Sequence, residues 1–175
     1  MLTIRRYPDP VLMKPSARVE TFDAELARFV DQMFETMYLS KGVGLAAPQV
    51  GVNKRIFVVN CEFDARGADA ELALINPEII EKKDTYIADE GCLSFPGIYA
   101  EVERAHWVKI RFQDVKGKFH EAQGEGLLAR AFQHELDHLD GKVFIDYLRP
   151  EQLLEIRKDV ESLKREFKRS AARTA

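Results

Sequence analysis

A chain of 175 residues is long enough to bury one core of ordinary size without staples, and too short for a second full domain. With 46% hydrophobic and 31% charged residues and a formal net charge of -3, it has a globular composition and no global pull toward DNA or a membrane surface. No stretch approaches the roughly 18 apolar residues of a membrane span, and the N-terminal segment lacks the apolar run of a signal peptide. The chain is therefore expected to be cytoplasmic, with Cys61 and Cys92 as free thiols rather than a disulfide.

After a Pro-rich entry from Tyr7 to Pro15, the spacing of Leu26, Phe29, Val30, Met33, Phe34 and Met37 predicts a first helix capped by Thr21 or Asp23. The helix should stop at Lys41-Gly42-Val43-Gly44, whose glycines suit a tight turn. Ile56 to Val59 reads as a strand, followed by a polar loop from Asp64 to Asp69. Further strands are expected at Leu72 to Ile80, Glu101 to Phe112 and Lys118 to Ala122, with Lys116-Gly117 turning between the last two. Gly124 to Leu139 should form a second helix closed by Gly141. A third follows Pro150, with Leu153, Ile156, Val160, Leu163 and Phe167 as its apolar stripe, and it ends in a basic tail of Lys164, Arg165, Lys168, Arg169 and Arg173. The order favours one α+β domain over residues 1–175, with short, mostly antiparallel strands packed around the second helix, and residues 150–175 as a C-terminal helix and tail.

The chemistry concentrates in His134-Glu135-Leu136-Asp137-His138. Two histidines four apart on a helix face the same way, and the glutamate between them is placed to act as a general base beside a metal ion. A catalytic metal needs a third ligand. A third histidine in the manner of the metzincin proteases is excluded, because Phe144 occupies that position. Glu155 or Glu161 could complete a thermolysin-like site and would make the chain a zinc-dependent peptidase, but both sit in a strongly charged helix that reads as a solvated face. Cys92, in Glu90-Gly91-Cys92-Leu93-Ser94, is the better candidate, since a thiolate with two imidazoles leaves a fourth position open. Leu127 and Ala131 lie on the same helical line as His134 and His138 and should wall an apolar pocket.

Three segments, Gly42 to Gln49, Glu90 to Ser94 and Gln133 to His138, in that order and at these separations, resemble the signature motifs of the peptide deformylases. The resemblance covers nearly the whole chain. It implies hydrolysis of the N-terminal formyl group from formyl-methionyl nascent polypeptides, with release of formate. By the same resemblance Cys92, His134 and His138 would be the metal ligands and Glu135 the acid/base, while the Gln49 side chain and the Leu93 backbone N–H would stabilise the oxyanion. Gly44 and Gly91 would present backbone to an extended substrate, and Ile87, Leu127 and Ala131 would enclose the methionine side chain. The implied cofactor is one divalent ion, Fe2+ in the cell, with Zn2+, Ni2+ or Co2+ as replacements. Arg130 either shapes the pocket mouth or is solvated, and Tyr99 stands where some relatives carry a basic residue. Arg104 could brace the cysteine loop through Glu90. Because the substrate is a nascent chain, the basic C-terminal end is a candidate contact to ribosomal RNA.

Overall fold

The computed structural model describes residues 1–62 and 69–175, so the loop expected from Asp64 to Asp69 lies, apart from Asp69, outside the described residues. Helix α1 (Ala24–Leu39) begins at Asp23, whose side chain accepts the Leu26 N–H at 2.9 Å; of the two candidate caps, Asp23 is the one used. Its Leu26, Val30, Met33 and Met37 are buried, as the periodicity requires, and pack with Leu45, Ile56, Val58 and Ile75.

Five antiparallel strands form one sheet in the order β1-β2-β3-β4-β5, each beside its sequence neighbour: β1 (Gly44–Ala46), β2 (Ile56–Val59), β3 (Leu72–Cys92), β4 (Phe95–Gln113) and β5 (Phe119–Glu125). The α+β class is as expected, with three α-helices and an antiparallel sheet. Two strands are not short. β3 and β4 pair over most of their 21 and 19 residues, and the sequence hid this for a physical reason. From Glu81 to Thr85 every β3 residue is exposed, so no period-2 alternation marks this part of β3 as strand, although its β4 partners Ala105 and Val108 are buried. Gly44 to Ala46, expected as part of a turn, instead pairs with Phe57 to Val59.

Helix α2 (Leu127–Leu139) starts three residues later than its pattern suggested. Gly124 still belongs to β5, paired with Val108, and a Cβ there would lie 2.8 Å from the Leu128 side chain. Gly126, at φ 58°, turns the corner between strand and helix. The helix packs against β1, β2, β4 and β5. Gln133 ties it to the sheet: its amide accepts from the Ala105 N–H and donates to the Ala105 carbonyl, both at 3.0 Å.

Helix α3 (Pro150–Thr174) buries Ile156 and Leu163 against Phe95, Ile98 and Phe144, while Leu153 is exposed, so the apolar stripe is narrower than expected. The basic residues after Ser162 are helical to Thr174 rather than a frayed tail. Among the described residues no helix is long and apolar enough to cross a membrane.

Candidate metal centre

Cys92 ends β3, just past a register irregularity between Gly91 and Cys92, and the chain turns at once so that Cys92 pairs with Phe95. This kink aims the thiol toward α2, where His134 and His138 stand one turn apart. The Cys92 Sγ lies 3.4 Å from His138 Nε2, which lies 3.2 Å from His134 Nε2. Among the described residues these three form the one cluster of potential ligands, with all donor atoms within 4.8 Å of each other.

The spacing suits a metal. Tetrahedral bonds of about 2.0–2.1 Å to nitrogen and about 2.3 Å to sulfur place N···N at about 3.3 Å and N···S at about 3.5 Å. The donor chemistry agrees. Burial, and then the neighbouring His134, keep His138 well below the ordinary histidine pKa, which leaves it a neutral donor. Burial opposes charge on His134 too, but hydrogen bonds to Cys92 and Glu90 raise its pKa well above the ordinary value. Glu155 and Glu161 are exposed on α3 and lie outside the cluster, and Glu161 pairs with Lys164.

Around the ligands the structure is uneven. His134 Nδ1 is hydrogen-bonded to Glu90, whose carboxylate also receives the Arg104 fork at 2.7 and 3.1 Å and Arg130 at 2.8 Å. Burial works against the Glu90 charge, yet the His134 and Arg104 hydrogen bonds outweigh it and hold the carboxyl well below the usual carboxylate range. Arg104 reaches on to Asp137 at 2.6 Å, and Asp137 accepts from the Tyr147 hydroxyl at 2.9 Å. The pairing of Arg104 with Glu90 was legible from the sequence. The burial of Arg130 and the extension to Asp137 and Tyr147 were not, although two arginines and an acid on elements flanking a cysteine loop are the available signal.

Gln49 is buried rather than an exposed turn residue. Its Oε1 accepts the Ala46 N–H at 2.9 Å, which fixes the amide orientation and turns Nε2 toward Cys92 Sγ at 3.4 Å and Ser94 Oγ at 3.2 Å. Glu135 is buried, and its Oε2 finds no partner among the described residues. Burial is the largest cause of its elevated pKa, pushed up to about 7. Gly44 makes room for it, since a Cβ there would sit 2.6 Å from Glu135 Oε1.

These groups open on a cleft of about 350 Å³ lined by Gly44, Gln49, Gly91, Cys92, Leu93, Leu127, Arg130, Ala131, His134 and Glu135. His138 lies behind it and is not part of the lining. Ile87, 63% exposed, is also absent from it, so the structure does not gather Ile87 with the other expected substrate contacts. Tyr99 lies against Gly91, where a Cβ would be 2.5 Å from the ring.

A Cys/His/His centre with a buried, unpaired carboxylate at an open cleft defines a metal-dependent hydrolase. A model of the polypeptide deformylase family matches residues 1–153. The chain is 51% identical over 142 residues to a peptide deformylase of Acidobacterium capsulatum, covering 81% of this chain and 83% of the relative. It is 48% identical over 159 residues to that of Thermotoga neapolitana, covering 90% and 93%. Its fold superposes on a peptide deformylase from Plasmodium falciparum with a TM-score of 0.91 at 43% identity, covering 95% and 97% of the two chains. A plant peptide deformylase gives 0.93 at 42% identity, covering 98% and 93%. The chain belongs to the polypeptide deformylase family.

Proposed function

We propose that this chain is a metal-dependent peptide deformylase, hydrolysing the N-terminal formyl group of formyl-methionyl nascent polypeptides to release formate, and that residues 1–175 form its one catalytic domain. Family membership supports the activity. The observation that carries the site assignment is the convergence of Cys92, His134 and His138 beside the unpaired Glu135 carboxylate.

Cys92, His134 and His138 would hold the ion, Fe2+ by family resemblance, with Zn2+, Ni2+ or Co2+ able to take its place. When bound, a divalent ion supplies Lewis acidity and makes water a usable nucleophile near neutral pH. Glu135 then acts through its free Oε2, accepting a proton from the attacking water and returning it to the departing amine. Burial, which lifts the Glu135 pKa to about 7, suits the carboxyl to taking up and giving back a proton near neutral pH. Gln49 Nε2, preset by its bond to Ala46, donates to the oxyanion together with the Leu93 backbone N–H. Gly44 and Gly91 would present backbone groups to the extended substrate along the cleft, and Leu127 and Ala131 receive the methionine side chain.

Formate release from formyl-Met-Ala-Ser by anaerobically purified protein is the test. Formate without cleavage of internal peptide bonds is expected; internal cleavage would instead support a peptidase. A cytoplasmic location follows from a nascent-chain substrate. The exposed Arg165, Lys168 and Arg169 on α3 support contact with ribosomal RNA, which predicts salt-sensitive ribosome binding that disappears when residues beyond Ser162 are removed.

A further inference from the structure

We infer that Arg130 is a positioning residue for the metal centre, acting through Glu90 to fix the ring of His134. This rests on reading Cys92, His134 and His138 as the ligands. Arg130 lies one turn before His134 on α2, lines the cleft and is 4% exposed, so it is not solvated. Every side of its guanidinium is engaged. Nη1 donates to Glu90 Oε2 at 2.8 Å and to the Val102 carbonyl at 2.9 Å, Nε donates to the Tyr86 hydroxyl at 3.3 Å, and Nη2 to the Tyr86 carbonyl at 3.3 Å. The Tyr86 ring lies 4.6 Å from the guanidinium carbon.

The consequence appears at Glu90. An ionised carboxylate has about four acceptor positions, and here all are taken: Oε1 by Arg104 and His134, Oε2 by Arg104 and Arg130. Arg104 grips both oxygens of Glu90 through Nε and Nη2, but its Nη1 donates to Asp137 at 2.6 Å, so its single charge is divided between two carboxylates. Two guanidiniums face two carboxylates, Glu90 and Asp137. Without Arg130, one cation is shared between the buried Glu90 and the partly buried Asp137, and Glu90 Oε2 loses one of its two donors. The carboxylate is then free to tilt, and the His134 ring tilts with it. A histidine ligand is oriented by the partner of its outer nitrogen, and loss of such a partner costs about 10–100-fold in metal affinity.

Co2+ binding to the full-length protein, followed by chelator competition and by its visible absorption, tests this. Arg130→Met keeps the apolar stem in the cleft wall and removes the fork. It is expected to weaken Co2+ binding by about 10–100-fold and to alter the ligand-field bands. Arg130→Lys keeps the cation without the fork and should recover only part of the affinity. On a Glu90→Gln background, Arg130→Met should add less than about twofold, because residues acting through one network are not additive. A purely electrostatic role predicts the opposite sign, tighter Co2+ binding once a nearby cation is gone, and that result overturns the inference. So does unchanged Co2+ binding with a raised KM, which would make Arg130 a cleft-wall residue only. If Arg130→Met does not fold, Arg130→Lys decides, with unchanged affinity and spectrum counting against the proposal. Failure of the parent protein to bind Co2+ or release formate would sink the functional reading itself; normal parent behaviour with an unaffected variant sinks only the role of Arg130.

Discussion

The two imidazoles of α2 are held in opposite ways. His134 has its outer nitrogen on Glu90, which is gripped in turn by two buried arginines, whereas His138 Nδ1 has no partner among the described residues. The same division runs through the site. On the Glu90 side the carboxylate is paired with two arginines; on the other side Glu135 Oε2 is buried and has no partner among the described residues. Unpaired buried polar atoms are costly, and they persist where the reaction needs them. The braced half sets geometry, and the bare half is left open for chemistry.

Substitutions can break this division, and the largest effect belongs to a ligand. Cys92→Ala should abolish stoichiometric metal binding, measured by elemental analysis, and activity with it; retained metal would remove Cys92 from the ligand set. Glu135→Ala should leave metal content intact and lower kcat by about 10²–10⁴-fold, the usual contribution of a placed acid/base. Gln49→Leu, which keeps the volume and removes the donor, should cost about 10²–10³-fold in kcat with metal retained. Equal loss of bound metal would show that Gln49 braces Cys92 instead.

The braced half should betray itself in stability. Removing one member of a buried charge pair costs about 3–5 kcal/mol, so Glu90→Gln should lower the urea midpoint more than Glu135→Gln does. The pH dependence has a definite sign. Folded Glu90 is held below its ordinary value of 4.5, so its contribution is complete above that pH and fades as the pH falls toward the lowered folded value. The gap in urea midpoint between the parent and Glu90→Gln should narrow below about pH 4.5. A gap that widens in acid would mean that Glu90 is not the charged anchor.

Much of this was legible in the residues. Helix α1 follows from 3.6-residue spacing, because one face of it is buried, and the α2 histidines follow from their spacing of four, although α2 is buried on all sides from Ala129 to Glu135. Cys92 could be singled out by eliminating Phe144 and the exposed glutamates of α3. What escaped were features set by tertiary pairing. The middle of β3, Glu81 to Thr85, is held by backbone bonds to β4 while its own side chains face water, so its composition carries no strand signal. Arg130 offered no local clue, since an arginine on an amphipathic helix is normally solvated, and only the arrival of Glu90 from a distant strand gives it a buried partner.

Cys92 and Glu90 sit two apart at the end of that hairpin, on the same side of a strand whose exposed middle specifies its alignment only weakly. A slip of one residue would turn both away from α2 together, depriving the ion of its sulfur and His134 of its anchor. An ion held by Cys92, His134 and His138 would therefore stabilise only the register that brings the three together, so that hairpin alignment and metal binding would be thermodynamically linked.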